Sequence, residues 1–176
     1  MKVVVISGSP RKGANTKIMM EYLYNYAKTK NADTKFIDLS TGGVECYRGP
    51  GENYNESTKQ ATKDVTEADV WFVGSPIYNS LLSSALKNLF EYINYKETAG
   101  KTAGIAILSS GGISFTNVHY MITGLMSYFK VVTNPKAVHV TADQIKNGKI
   151  SDESAMTRLR ELVDETLKLG SYTTLA

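Results

Sequence analysis

The sequence predicts an α/β chain built on a doubly wound, five-stranded parallel sheet in the order 2-1-3-4-5. Three observations carry that prediction. Short β-branched runs alternate with longer stretches whose apolar residues recur at helical spacing, the rhythm of βαβ units covered on both faces. The turns after the first, third and fourth runs concentrate Gly, Ser and Pro, and in this strand order those are the turns that meet at the ligand crevice. At 176 residues the chain is too short for a closed strand–helix barrel.

The first strand is expected at Lys2–Ile6, running into "SGSPRKGANT", with a helix from Asn15 through "NTKIMMEYLYNYAKTK". Thr34–Asp38 reads as the second strand. The stretch Ser40–Glu56, rich in Gly, Asn and Tyr, has no period and is too long for an idle connection, which marks it as a functional loop. The third strand, Asp69–Gly74, leads through "SPIYN" into "SSALKNLFEYINY" from Ser83, where Leu82, Ala85, Leu86, Leu89, Phe90 and Ile93 share one helical face. Thr102–Leu108 is the fourth strand, followed by "LSSGGIS" and a helix over about 115–129. The fifth run, Val131–Val140, is broken by Pro135 and so belongs at a sheet edge. The last helix, "ESAMTRLRELVDETLKLG", stops near Gly170. No repeat or linker interrupts residues 1–176, which read as one domain.

Composition excludes several function classes. Hydrophobic content of 42% and charged content of 21% are ordinary for a globular chain, and the net charge of +3 is scattered, without the basic stripe of a nucleic-acid binder. Cys46 is the only cysteine, so an intrachain disulfide, a thiolate zinc site or a redox cysteine pair is impossible, and a reducing, cytoplasmic setting is expected. Neither a signal peptide nor an apolar window long enough for a bilayer is evident.

The chemistry is expected in the three crevice loops. In the first, Gly8 and Gly13 allow close backbone approach, while Ser9, Asn15 and Thr16 offer short polar groups where a helix leaves its first amides unpaired. Arg11 and Lys12 add positive charge, and the set reads as a phosphate seat. It is neither a Walker A loop, since Ala14 and Asn15 follow Gly13, nor a Rossmann fingerprint. A plain strand-to-helix turn capped by Asn15 accounts for that residue but not for the rest. In the second loop, Pro76, Ile77, Tyr78, Asn79 and Ser80 are suited to wrapping a flat heteroaromatic ring. In the third, "LSSGGIS", Gly111 and Gly112 permit a backbone excursion that exposes amides to a ring edge or leaves room for a second ligand; taken alone the loop reads as an ordinary glycine turn. His119 and His139, the only histidines, fall in a helix and a strand and are assigned to packing or surface.

Through about Phe129 the chain resembles the NADPH-dependent FMN reductase family of flavodoxin-like flavoproteins, on "GSPRKGANT", "GSPIYNSLLSSALKNLFEYI" and "SSGG". The resemblance implies that Ser9, Arg11, Asn15 and Thr16 hold the FMN phosphate with help from Lys12. It places Pro76, Ile77, Tyr78, Asn79 and Ser80 along the isoalloxazine and ribityl chain, and Ser109 to Gly112 on the ring's far side. "GSPRK" is similar to the branch that includes iron–sulfur flavoproteins, whose cysteine cluster follows the second strand; a lone Cys46 rules that cluster out by ligand count.

The implied activity is hydride transfer from NADPH or NADH through FMN to a small acceptor, in a homodimer or homotetramer; a free flavin, a quinone, an azo compound and a metal oxyanion all suit an open flavin face. No acid or base is named, because the flavin carries the hard step. The alternatives are a flavodoxin-type electron carrier, which is usually acidic, and a flavin-free interaction protein that keeps the fold.

Overall fold

The computed structural model describes residues 1–31, 33–111 and 114–173. Its parallel sheet contains β1 (Val3–Ser7), β2 (Thr34–Asp38), β3 (Val70–Pro76), β4 (Thr102–Ser109), β5 (Val132–Thr133) and β6 (Val138–Thr141), ordered β2-β1-β3-β4-β5 with β6 also paired to β4. The expected order is therefore present. Val3 pairs with both Thr34 and Val70, and Val70 with Thr102, so these four strands start level and the loops beyond β1, β3 and β4 lie side by side.

Both faces of the sheet are covered by α1 (Asn15–Lys30), α2 (Glu56–Glu67), α3 (Ser84–Glu91), α4 (Phe115–Tyr128) and α5 (Glu153–Thr173). Side chains alternate along each strand, which divides the core. Val4, Ile6, Trp71, Val73, Ile105 and Ile107 pack with α2, α3 and α4, whereas Val3, Val5, Val70, Phe72, Ala106 and Leu108 pack with α1 and α5. Burial on two sides is why the central strands are almost wholly apolar.

The structure departs from the sequence expectations in four places. The Val131–Val140 run divides into β5 and β6, because Asn134–Ala137 stand opposite only Gly104 and Ile105 of β4; Pro135 sits in that bulge at the sheet edge. The helix from Ser83 ends at Glu91, after which Tyr95–Glu97 form a separate short turn capped by Asn94. Gly170 does not stop α5 but lies inside it, where a Cβ would come within 2.6 Å of Val70; the glycine serves close helix–sheet approach. Helix α2 and the hairpin of β7 (Ile145–Lys146) and β8 (Lys149–Ile150) are additional.

Helix α4 carries no charged residue and exposes Tyr120 (70%), Tyr128 (61%) and part of Met121 on its outer face. None of the described helices is long and apolar enough to cross a membrane.

Candidate functional site

The loop between β1 and α1 gathers several independent features that suit an anion. Gly13 has φ of +67°, a left-handed conformation that favours glycine, and it turns the chain into α1. Ala14 occupies the cap position and offers no polar side chain, so the Asn15 and Thr16 amides that open α1 have no side-chain cap, while the Lys17 amide donates to the Ala14 carbonyl at 3.0 Å. Asn15 is thus the first helical residue and not the cap. Helices α2 and α3, by contrast, are closed by Asn55, which accepts from the Thr58 amide at 2.8 Å, and by Ser83, which accepts from the Leu86 amide at 3.1 Å. The hydroxyls of Ser7 and Thr16 are buried at this same junction and have no hydrogen-bond partner among the described residues. A buried hydroxyl without a partner is costly, and phosphate oxygens are acceptors suited to complete it.

The charge around the seat is positive. Arg11 and Lys12 are exposed, and neither side chain pairs with a described residue. The nearest strand-end carboxylate is Asp38, register partner of Ser7, and Lys17 of α1 neutralises it at 2.9 Å. Burial alone would raise the Asp38 carboxyl, but hydrogen bonds from Lys17 and Ser40 hold it below the ordinary aspartate value. No acidic residue lies in the first turn of α1. An anion in the seat therefore meets amides, hydroxyls and a guanidinium with little opposing charge.

The second loop is joined to the first. Ser9, fully buried, accepts from the Arg11 amide at 3.2 Å, and its Oγ lies 3.1 Å from the Tyr78 hydroxyl. Ser83 Oγ also donates to the Gly8 carbonyl, so one hydroxyl both caps α3 and straps it to the β1 loop. Pro76 ends β3 in the core, the Ile77 amide bonds to the Leu108 carbonyl at 2.9 Å, and Tyr78 and Leu81 exchange two backbone bonds of 3.0 Å. Asn79 and Ser80 form the tip of that turn with φ of 49° and 67°, left-handed values that raise the conformational cost of the loop.

The third loop closes on the second. Ser80 Oγ lies 2.7 Å from Ser114 Oγ, and Ser114, also left-handed at φ 69°, opens α4 without a side-chain cap. Ser109 is buried and donates to the Gly111 carbonyl, while Ser110 and Gly111 are exposed. Gly112 lies outside the described residues. Ser9, Tyr78, Ser80 and Ser109 thus belong to one connected group of loops, whereas Arg11 and Lys12 stand at its rim. Ser7, Ser83 and Ser114 were missed by sequence reasoning; of these only Ser83, at the head of an amphipathic run, carries a readable cap signal. His139, assigned to packing, reaches Ser109 with Nε2 at 2.6 Å from Oγ.

The Ser40–Glu56 loop is ordered against α3. Asn88 accepts from the Tyr47 amide at 2.8 Å and donates to the Glu45 carbonyl at 2.7 Å, and the Tyr92 hydroxyl donates to that same carbonyl. Tyr47 and Tyr54 both set ring edges against Tyr92, whose hydroxyl is pushed up to about 12 chiefly by burial. The loop walls a groove of about 600 Å³ that reaches Pro10 of the first loop.

The chain is similar to known proteins over most of its length. The chain is 28% identical over 178 residues to the NAD(P)H-dependent FAD/FMN reductase of Geobacillus thermodenitrificans, covering 96% of this chain and 93% of that one. It is 26% identical to the NADPH azoreductase of a Bacillus species, over 94% of this chain and 90% of the relative. Among solved structures, the fold is similar to a flavoenzyme NAD(P)H:(acceptor) oxidoreductase from Paracoccus denitrificans, with a TM-score of 0.78 at 21% identity and 97% of each chain covered. It is similar also to an NADH:FMN oxidoreductase in its apo form, with a TM-score of 0.79 at 19% identity, 94% of this chain and 87% of that chain covered. The family model described as NADPH-dependent FMN reductase matches residues 1–144, from β1 through β6 and the turn after it, and the chain belongs to that family.

Proposed function

We propose that residues 1–176 act as one FMN-binding domain of an NAD(P)H-dependent oxidoreductase that passes electrons to a small acceptor. The observation that carries the reading is the N-terminus of α1 without a side-chain cap, with buried Ser7 and Thr16 hydroxyls and an exposed Arg11 side chain that have no hydrogen-bond or ion-pair partner among the described residues. FMN, when bound, supplies hydride acceptance from a nicotinamide and delivery to the acceptor. The α1 amides, Ser9, Asn15 and Thr16 hold its phosphate, with Arg11 and Lys12 neutralising the dianion. Pro76, Ile77, Tyr78, Asn79 and Ser80 line the ring and ribityl chain, and Ser109, Ser110, Gly111 and Gly112 the ring's far side. The turn closed by Tyr78 and Leu81 keeps that wall rigid, so little ordering is required on binding.

The relatives' names point to flavins and azo compounds as acceptor classes, and a quinone fits the same open flavin face. The uncharged outer face of α4, with Tyr120 and Tyr128, is assigned to contact with a second copy in a homodimer or homotetramer. A cytoplasmic location fits the single unpaired Cys46. An electron carrier that turns over no nicotinamide is the lesser reading, because the relatives carry reductase names. Anaerobic mixing of FMN-loaded protein with NADPH or NADH tests the choice. The flavin band should bleach and return when a quinone or azo dye is added; FMN that stays bound yet unbleached by either nicotinamide contradicts the enzyme.

A further inference from the structure

His139 of β6 lies far in sequence from the crevice loops, yet its ring closes a short chain of hydrogen bonds there. Ser109 has one hydroxyl proton and donates it to the Gly111 carbonyl. The contact of 2.6 Å between Ser109 Oγ and His139 Nε2 must then run from Nε2–H to the oxygen. His139 is held at two further points, one on its ring and one on its backbone. Phe115 stacks on it with ring centroids 4.6 Å apart and planes 18° apart, and Arg158 donates to the His139 main-chain carbonyl at 2.8 Å.

We propose that His139 is the positioning residue of the β4 loop: through Ser109 it fixes the Gly111 carbonyl, and with it the wall assigned above to the far side of the flavin. This rests on the flavin reading for its consequence, although the relay itself does not.

The arrangement also selects a protonation state. Burial, reinforced by the Arg158 charge, holds the imidazole below its ordinary value, so near neutral pH it carries one proton, placed at Nε2 by Ser109. A second proton would enter at Nδ1 and set a cation beside Arg158. The other ionisable groups around the ring do little to offset that. His119 of α4 lies beyond the Phe115 ring, 5.9 Å from it; Lys136 and Glu165 neutralise each other at 2.6 Å; Glu161 lines the cavity that Arg158 shares; β4 presents only the Ser109 hydroxyl. Acidification therefore strains the loop while leaving its hydrogen bond in place.

Two measurements test the relay. In NMR spectra of the free protein, the Gly111 amide should shift with the His139 imidazole, at a midpoint below 6.5, and stay flat in His139→Gln. By flavin fluorescence, His139→Ala should bind FMN about tenfold more weakly, the loss expected for one positioning hydrogen bond. His139→Gln, which keeps a donor near the Nε2 position but cannot titrate, should recover most of that affinity and show a flatter acid limb than the wild type. A Gly111 amide that ignores His139, or a His139→Ala protein that binds FMN like the wild type, overturns the proposal. Should wild-type protein take up no FMN, the flavin reading fails, and the Gly111 titration still decides the relay.

Discussion

Thr16 and Arg11 test the anion seat in opposite ways. Thr16 buries a hydroxyl that has no partner among the described residues, so Thr16→Val should stabilise the free protein by about 1 kcal/mol and weaken FMN binding by roughly tenfold. Thermal melts and flavin titration on the same sample check both signs; a variant that loses stability and keeps affinity makes Thr16 a packing residue only. Arg11→Ala should weaken FMN roughly 10- to 100-fold, with little change in melting temperature, because the exposed side chain makes no hydrogen bond or ion pair with a described residue. These residues were legible because short polar groups and a cation at a strand–helix junction have few structural uses. Ser83 and His139 were not legible as site residues: their bonds to Gly8 and Ser109 cross 75 and 30 positions of sequence, and only the folded sheet brings them together.

The elements were readable in proportion to how far their pattern reflects burial. Strands covered on both faces show as plain apolar runs, and the three central ones were found with ends shifted by a residue or two. Helix α2 was not found, because it buries only Thr58, Ala61 and Val65 and is otherwise polar. The Asn147–Gly148 pair is a strong hairpin signal between β7 and β8 that the reading passed over. Helix α2 is held at its far end by Lys101, whose Nζ donates at 2.7 Å to the Thr66 and Ala68 carbonyls. Burial pushes that amine below its ordinary value, yet removing it strands two helix-end carbonyls. Lys101→Met should cost about 2 kcal/mol of stability in denaturant unfolding while FMN affinity stays near wild type. Unchanged stability would show that water replaces the amine.

At the scale of the whole molecule, the level strand starts and right-handed βαβ winding bring the loops after β1, β3 and β4 to one edge, and the sequence order of polar turns already reports this. Assembly and pH response belong to this scale too. The contact assigned to α4 predicts by light scattering a dimer or larger for the wild type and a monomer for Tyr120→Asp combined with Tyr128→Asp; an unchanged mass removes α4 from the contact. Burial holds the native His139 imidazole below its ordinary value, so the stability it contributes is present above that ordinary value and is lost as pH falls through the lowered one. Melts across this range should show that decline in the wild type and less of it in His139→Gln.

The central claim is that the open end of α1 holds a phosphate dianion, and the affinity of FMN set against that of riboflavin isolates that phosphate. The account predicts that FMN binds at least about a hundredfold more tightly, with Arg11→Ala and Thr16→Val each narrowing the gap. Equal affinities for the two flavins, unaltered by either substitution, would contradict it.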